Sequence, residues 1–225
     1  PRLKEISPIR LEVPSGKVPS RTLTPPLLIL YGFLGLISLG TFVLSLPISS
    51  NSLGWTDFTT AFFTATSAVT ITGLIVVDTP THWSFFGQVT ILLMVFVGGL
   101  GFMTAASFLL IVAGQRITLS QRMALMEPLG VDHIGGIIRL TRNLVYTVIS
   151  LQALGAVALF FTFVPTFGKA EGAWQAIFHS VSAFNNAGFT VLPGSNSMDT
   201  LSGDYFSLAI IMVLAVMGGM GFFVI

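Results

Sequence analysis

Residues 85–114, FFGQVTILLMVFVGGLGFMTAASFLLIVAG, run for 30 positions without one charged side chain. At about 1.5 Å of rise per residue, such a run as a helix exceeds the roughly 30 Å of a bilayer's hydrocarbon core. Three more apolar runs, near 27–46, 143–164 and 205–225, also reach spanning length, at about 20 residues. Between successive long runs lie two short ones, 58–69 and 173–184, of 12 residues each. Those are too short to cross and read as segments that enter and turn back. The whole chain is 53% hydrophobic and 8% charged, with a mean hydropathy of +0.88, whereas a soluble domain carries about 25% charge. It reads as an all-α integral membrane protein. Its 23 glycines and 20 phenylalanines suit helices packed closely in lipid.

The basic residues orient it, because Lys and Arg collect on the cytoplasmic side of short loops. Arg2, Lys4, Arg10, Lys17 and Arg21 precede the first long run, and Arg116, Arg122, Arg139 and Arg142 separate the second from the third. Lys169 alone falls in the other connections, which carry Asp57, Asp78, Glu171, Asp199 and Asp204 instead. Both short segments therefore dip in from outside, and the N-terminus is cytoplasmic in the cell membrane. Residues 1–26, with prolines at 1, 8, 14, 19, 25 and 26, read as a cytoplasmic tail that cannot form one continuous helix. Residues 115–136 read as a cytoplasmic connection. Cysteine is absent, so neither a disulfide nor a thiolate metal site is available.

The chain is also internally repeated. Aligning Gly73 with Gly188 pairs Ala61 with Ala176, Phe63 with Phe178, Ser67 with Ser182 and Ala68 with Ala183. Downstream, VGGLGF at 97–102 recurs as MGGMGF at 217–222. The halves 27–114 and 137–225 are thus two parallel copies of one span, short segment, span unit. After a short re-entrant helix the chain must return as irregular backbone, tolerated at that depth only inside protein or beside water. Such backbone offers carbonyl oxygens. An extended Thr70-Ile71-Thr72-Gly73 would aim successive carbonyls at an axis, with glycine supplying an angle that a side chain forbids. Oxygens so placed replace a cation's hydration shell, as in potassium-channel filters, and the C-terminal ends of the short helices add negative dipole.

The paired elements TATSAVTITGL and HSVSAFNNAGF, each followed by a GGxGF span, resemble the Trk/Ktr/HKT superfamily of potassium transporters, most of all the membrane subunit of bacterial Ktr systems. The resemblance covers residues 23–225. It implies tandem membrane-pore-membrane repeats, potassium-channel-like, with re-entrant pore helices and extended filter loops, and conduction of potassium ion, sometimes coupled to or accompanied by sodium ion. By the same resemblance the filter carries over to Thr70, Ile71, Thr72 and Gly73 and to Asn185, Asn186, Ala187 and Gly188, binding potassium mainly through backbone carbonyls. Each loop has one glycine where the strict TVGYG pattern has two, which implies fewer well-formed sites. The family folds four such units around one pore, so two more units are expected beyond this sequence. It also implies a homodimer on a cytoplasmic ring of nucleotide-binding RCK subunits, which Arg116 and Arg122 would meet.

The remaining motifs are plainer. The GGxGF pairs read as close helix contacts or kinks, and His179 as a hydrogen-bond partner of a neighbouring loop. No nucleotide-binding loop, HEXXH or serine-histidine-acid arrangement is present, and a net charge of +1 gives no sign of a nucleic-acid partner. An intramembrane enzyme would need acids, histidines or metal ligands in its spans, which are nearly free of ionisable groups; the chain does not read as an enzyme. The alternative function is an accessory membrane subunit of a sodium-translocating ATPase, for which the essential membrane carboxylate is lacking.

Overall fold

The computed structural model describes residues 25–101, 104–105, 137–192, 201 and 203–220. The tail before Pro25, the connection 115–136 with Arg116 and Arg122, and residues 221–225 lie outside the described residues. Helix α1 spans Pro25–Ser45, and a 3-10 turn follows at Pro47–Ser49. Helices α2 (Phe58–Val69), α3 (Thr79–His82) and α4 (Phe85–Leu100) complete the first half. The second half holds α5 (Ile137–Phe167), α6 (Lys169–Phe184) and α7 (Tyr205–Gly219). Among the described residues all regular structure is helical, apart from one isolated antiparallel bridge between Ser50 and Trp83.

Local chemistry sets most of these limits. Pro25 and Pro26 stand in the first turn of α1, where a missing N–H costs nothing; the helix therefore begins two residues inside the expected tail. Asp57 caps α2 by accepting from the Thr59 N–H at 2.9 Å, and Ser84 caps α4 by accepting from Gly87 at 3.2 Å. Asp204 does the same for α7 through Ser207 at 3.1 Å, and hydrogen bonds from Ser207 hold its carboxyl below the usual carboxylate range. Helix α5 runs on past the expected 143–164 at both ends. It stops two residues after Pro165, at Gly168 with φ +82°, so α6 begins at Lys169, earlier than the expected 173. The run 85–114 is not one continuous helix. Gly101, at φ +76°, ends α4 with its N–H on the Gly98 carbonyl, a conformation that other residues resist.

Helix α5 is long and apolar enough to cross a membrane, and the other apolar helices are shorter within the described residues. Helix α1 packs along α2 and α4, while α5 packs along α6 and α7. One buried cluster gathers Ile37, Leu44, Ala65, Val69, Ile91 and Val95 around α2; a second gathers Val145, Leu159, Phe163, Ala176, Phe184 and Leu214 around α6. The Asn51 N–H donates to His82 and the Ser84 N–H to Ser49, each at 2.9 Å. Residues 49–51 and 82–84 are thereby tied together, so everything between them leaves one end of the bundle and returns to it. The Trp174 indole N–H, donating to Gln88 Oε1 at 2.8 Å, joins the start of α6 to the same end. Large apolar side chains such as Leu39, Phe42, Phe161 and Val213 face outward, as lipid-facing helix surfaces do.

Candidate functional site

Helices α2 and α6 end in the same way. The Ile71 N–H donates to Ala68 and the Thr72 N–H to Ser67; the Asn186 N–H donates to Ala183 and the Ala187 N–H to Ser182, all between 2.8 and 3.4 Å. This is the Schellman pattern, which closes a helix by putting the first residue past its cap in the left-handed region. That residue is Ile71 in one half and Asn186 in the other, both at φ +56°. Asparagine tolerates this region, but a β-branched isoleucine there is strained. Two residues on, Gly73 and Gly188 repeat the positive angle, both at φ +73°.

Each loop therefore contains two left-handed positions rather than the single glycine expected from sequence, and it is not extended from its first residue. Thr70, at φ −88° and ψ 1°, and Ile71 form a turn instead. Past that turn exposure alternates: Ile75 and Val77 pack onto the first core cluster while Thr72, Leu74 and Val76 are exposed. In the second loop Ala187, Phe189 and Val191 join the same cluster, and Thr190 and Leu192 are buried as well. Thr70 and Thr72 join hydroxyls at 2.6 Å, and Thr70 Oγ1 donates to the Thr66 carbonyl at 2.8 Å.

The loops meet each other. A Cβ on Gly73 would overlap the carbonyl oxygen of Ala187, while one on Gly188 would lie 3.7 Å from the Cα of Gly73, in ordinary contact. The glycine pairs downstream hold the helix ends in place. A Cβ on Gly98 would overlap the carbonyl of Val69, the last residue of α2, and one on Gly218 would overlap that of Phe184, the last of α6. The GG pairs are thus close-contact seats for the two C-termini, the role read from the sequence.

What the loops offer is oxygen. Among the described residues no carbonyl of Thr70, Ile71, Thr72, Gly73, Asn185, Asn186, Ala187 or Gly188 accepts a hydrogen bond. The N–H groups of residues 70–72 and 185–187 donate back into the helices they follow, and Asn186 Nδ2 donates to Ala215 at 3.1 Å. The short helices point their C-terminal, partially negative ends at the start of each loop. No group of three or more His, Asp or Glu side chains suited to a metal occurs among the described residues. His179, one turn before the end of α6, lies buried between the Gln175 carbonyl and Thr190 Oγ1, at 2.8 and 2.9 Å. It bonds the loop after Gly188, as expected.

A family model described as TrkH, cation transport protein, matches residues 16–225. The Ktr system potassium uptake protein B of Bacillus subtilis is 41% identical over 203 residues, covering 90% of this chain and 44% of that protein. The potassium/sodium uptake protein NtpJ of Enterococcus hirae is 41% identical over 207 residues, 91% of this chain and 45% of its own length. A Ktr system potassium uptake protein B from Vibrio alginolyticus is 39% identical over 214 residues, 95% of this chain and 46% of its own. The chain spans less than half the length of these relatives.

Proposed function

We propose, from the premise that this chain belongs to the TrkH family of cation transport proteins, that it supplies part of a pore through which potassium is taken up across the cell membrane. The observation that carries this reading is the matched pair of loops whose carbonyls accept no hydrogen bond among the described residues. A partly dehydrated cation needs several oxygens at once, and oxygens already committed to N–H donors would not serve. Thr70, Ile71, Thr72 and Gly73 form one wall of the filter, and Asn185, Asn186, Ala187 and Gly188 the next. Helices α2 and α6 are the re-entrant pore helices. The names of the relatives speak for uptake of potassium, in one case potassium and sodium, rather than for an accessory role beside an ATPase.

The proposal extends to the pore as a whole. Two further membrane-pore-membrane units would line its remaining sides, a homodimer would form in the bilayer, and a cytoplasmic nucleotide-binding RCK ring would gate it from outside this chain. The decisive experiment is ion uptake by the full-length protein in liposomes. Potassium should enter down its gradient with saturation, and sodium more slowly; liposomes no more permeable to potassium than empty ones would overturn the reading.

Topology supplies a second expected result. These 225 residues contain no cysteine, so within them one introduced thiol is the only one to label. A cysteine at Ser52, exposed in the loop before α2, should react with an impermeant reagent only from outside. One at Ser120, among the arginines of the central connection, should react only from the cytoplasm. Labelling of both from one side would reject the proposed orientation.

A further inference from the structure

The two loops share a backbone conformation but differ in what stands behind them. Behind the second, Ser182 Oγ donates to the Phe189 carbonyl at 2.7 Å. A carbonyl only accepts, so His179 Nδ1 carries the hydrogen shared with Gln175; Nε2 then accepts from the Thr190 hydroxyl. Thr190 Oγ1 in turn accepts from the Leu192 N–H at 3.2 Å. His179, Ser182, Phe189 and Thr190 are all buried. The stretch directly after Gly188 is therefore clamped to α6 by two side-chain hydrogen bonds.

The first loop lacks both. The alignment that pairs Gly73 with Gly188 places Thr64, Ser67, Leu74 and Ile75 at the corresponding positions. Ser67 Oγ is buried with no hydrogen-bond partner among the described residues, and Leu74 is 58% exposed where Phe189 is 1% exposed. Between Ser67 and the loop lies a half-open recess of about 120 Å³, lined by Phe63, Thr66, Ser67, Thr72 and Leu74. Among the described residues the first loop has this recess behind it and neither of the two side-chain hydrogen bonds that hold the second.

We propose that His179, Ser182 and Thr190 are positioning residues that hold the second loop rigid, so that this loop discriminates between cations while the first adapts to them. The inference rests on the reading of both loops as filter. A smaller cation is accommodated only if the oxygens close in around it. The first loop can follow at little cost, whereas the second must break buried hydrogen bonds, each removal leaving an unsatisfied buried group. Discrimination against sodium then resides in α6 and the residues behind it, not in the loop backbone alone.

Potassium and sodium uptake by the full-length protein in liposomes, with assembled protein quantified, tests this through a matched pair of substitutions. Ser182→Ala should lower the potassium-over-sodium preference by about three- to tenfold, the scale of one lost buried hydrogen bond, and raise the half-saturating potassium concentration while the maximal rate stays within about twofold. Ser67→Ala, removing the same atom from the corresponding place, should change neither. Thr190→Val should behave as Ser182→Ala does, and Thr190→Ser should retain native values. Equal effects of the two serine substitutions, or a Thr190→Ser as impaired as Thr190→Val, would overturn the inference. If Gly73→Ala and Gly188→Ala alter discrimination and Ser182→Ala does not, the inference fails alone; if those glycine substitutions also leave it unchanged, the filter reading fails with it. Amide exchange in the unmodified protein decides the matter without any variant: residues 186–192 should exchange more slowly than 71–77, and equal or reversed rates would refute the clamp.

Discussion

Gly73→Ala is expected to be more damaging than Gly188→Ala, although both glycines share φ +73°. Each alanine pays for a left-handed angle, about 1–3 kcal/mol. At Gly188 that is the main cost, because the new Cβ would find only the Cα of Gly73, at 3.7 Å. At Gly73 the Cβ would also meet the backbone carbonyl of Ala187, and backbone cannot rotate away as a side chain can. Overpacking of that kind adds about 1–3 kcal/mol. Since about 1.4 kcal/mol is a tenfold change in an ion-binding equilibrium, Gly73→Ala should lower the potassium-over-sodium uptake preference of the full-length protein at least tenfold. Gly188→Ala should shift it in the same direction by less. Uptake measured with both cations over a range of concentrations checks the order, and equal effects would show that the two loops do not touch through Gly73 and Ala187.

The second large effect concerns the seats of the C-terminal ends of α2 and α6. Gly218→Ala places a Cβ into the carbonyl of Phe184, so α7 and the end of α6 must separate. The expected loss is about 1–3 kcal/mol of stability, seen as a lower thermal-denaturation midpoint of the detergent-purified full-length protein. Gly98→Ala, pressing on Val69, should do the same in the first half. Gly35→Ala in α1 is the comparison, since nothing lies within 4 Å of its added Cβ; mid-helix alanine there should be neutral or stabilising by up to about 1 kcal/mol. A midpoint for Gly218→Ala equal to that of Gly35→Ala would show that α7 does not bear on α6 at this point.

Hydropathy and local backbone preference by themselves determine much of this protein. Helix α2 begins and ends where its apolar run does, because Asp57 caps it and the Thr-Ile-Thr-Gly stretch cannot prolong it. Both glycines of the loops are left-handed, since few other residues accept that angle. The glycine pairs at 98–99 and 218–219 are legible in the sequence as contact points, though their partners are not. Other features depend on residues far apart in the chain, and no local pattern encodes them. Ile71 adopts a conformation its own side chain resists, stabilised by the closed end of α2 and by packing onto a core assembled from α1, α2 and α4. Hydropathy along the run from residue 85 gives no sign of the break at Gly101, because every residue around it suits lipid equally well; the GGLGF glycines mark a contact or a kink there without saying which. The two serines at matching positions, Ser67 and Ser182, are indistinguishable as letters. Only the packing of α6 against the loop that follows it gives Ser182 a carbonyl to bond and leaves Ser67 facing a recess, because a hydrogen bond needs a partner within about 3 Å and that distance exists only once the helices have come together.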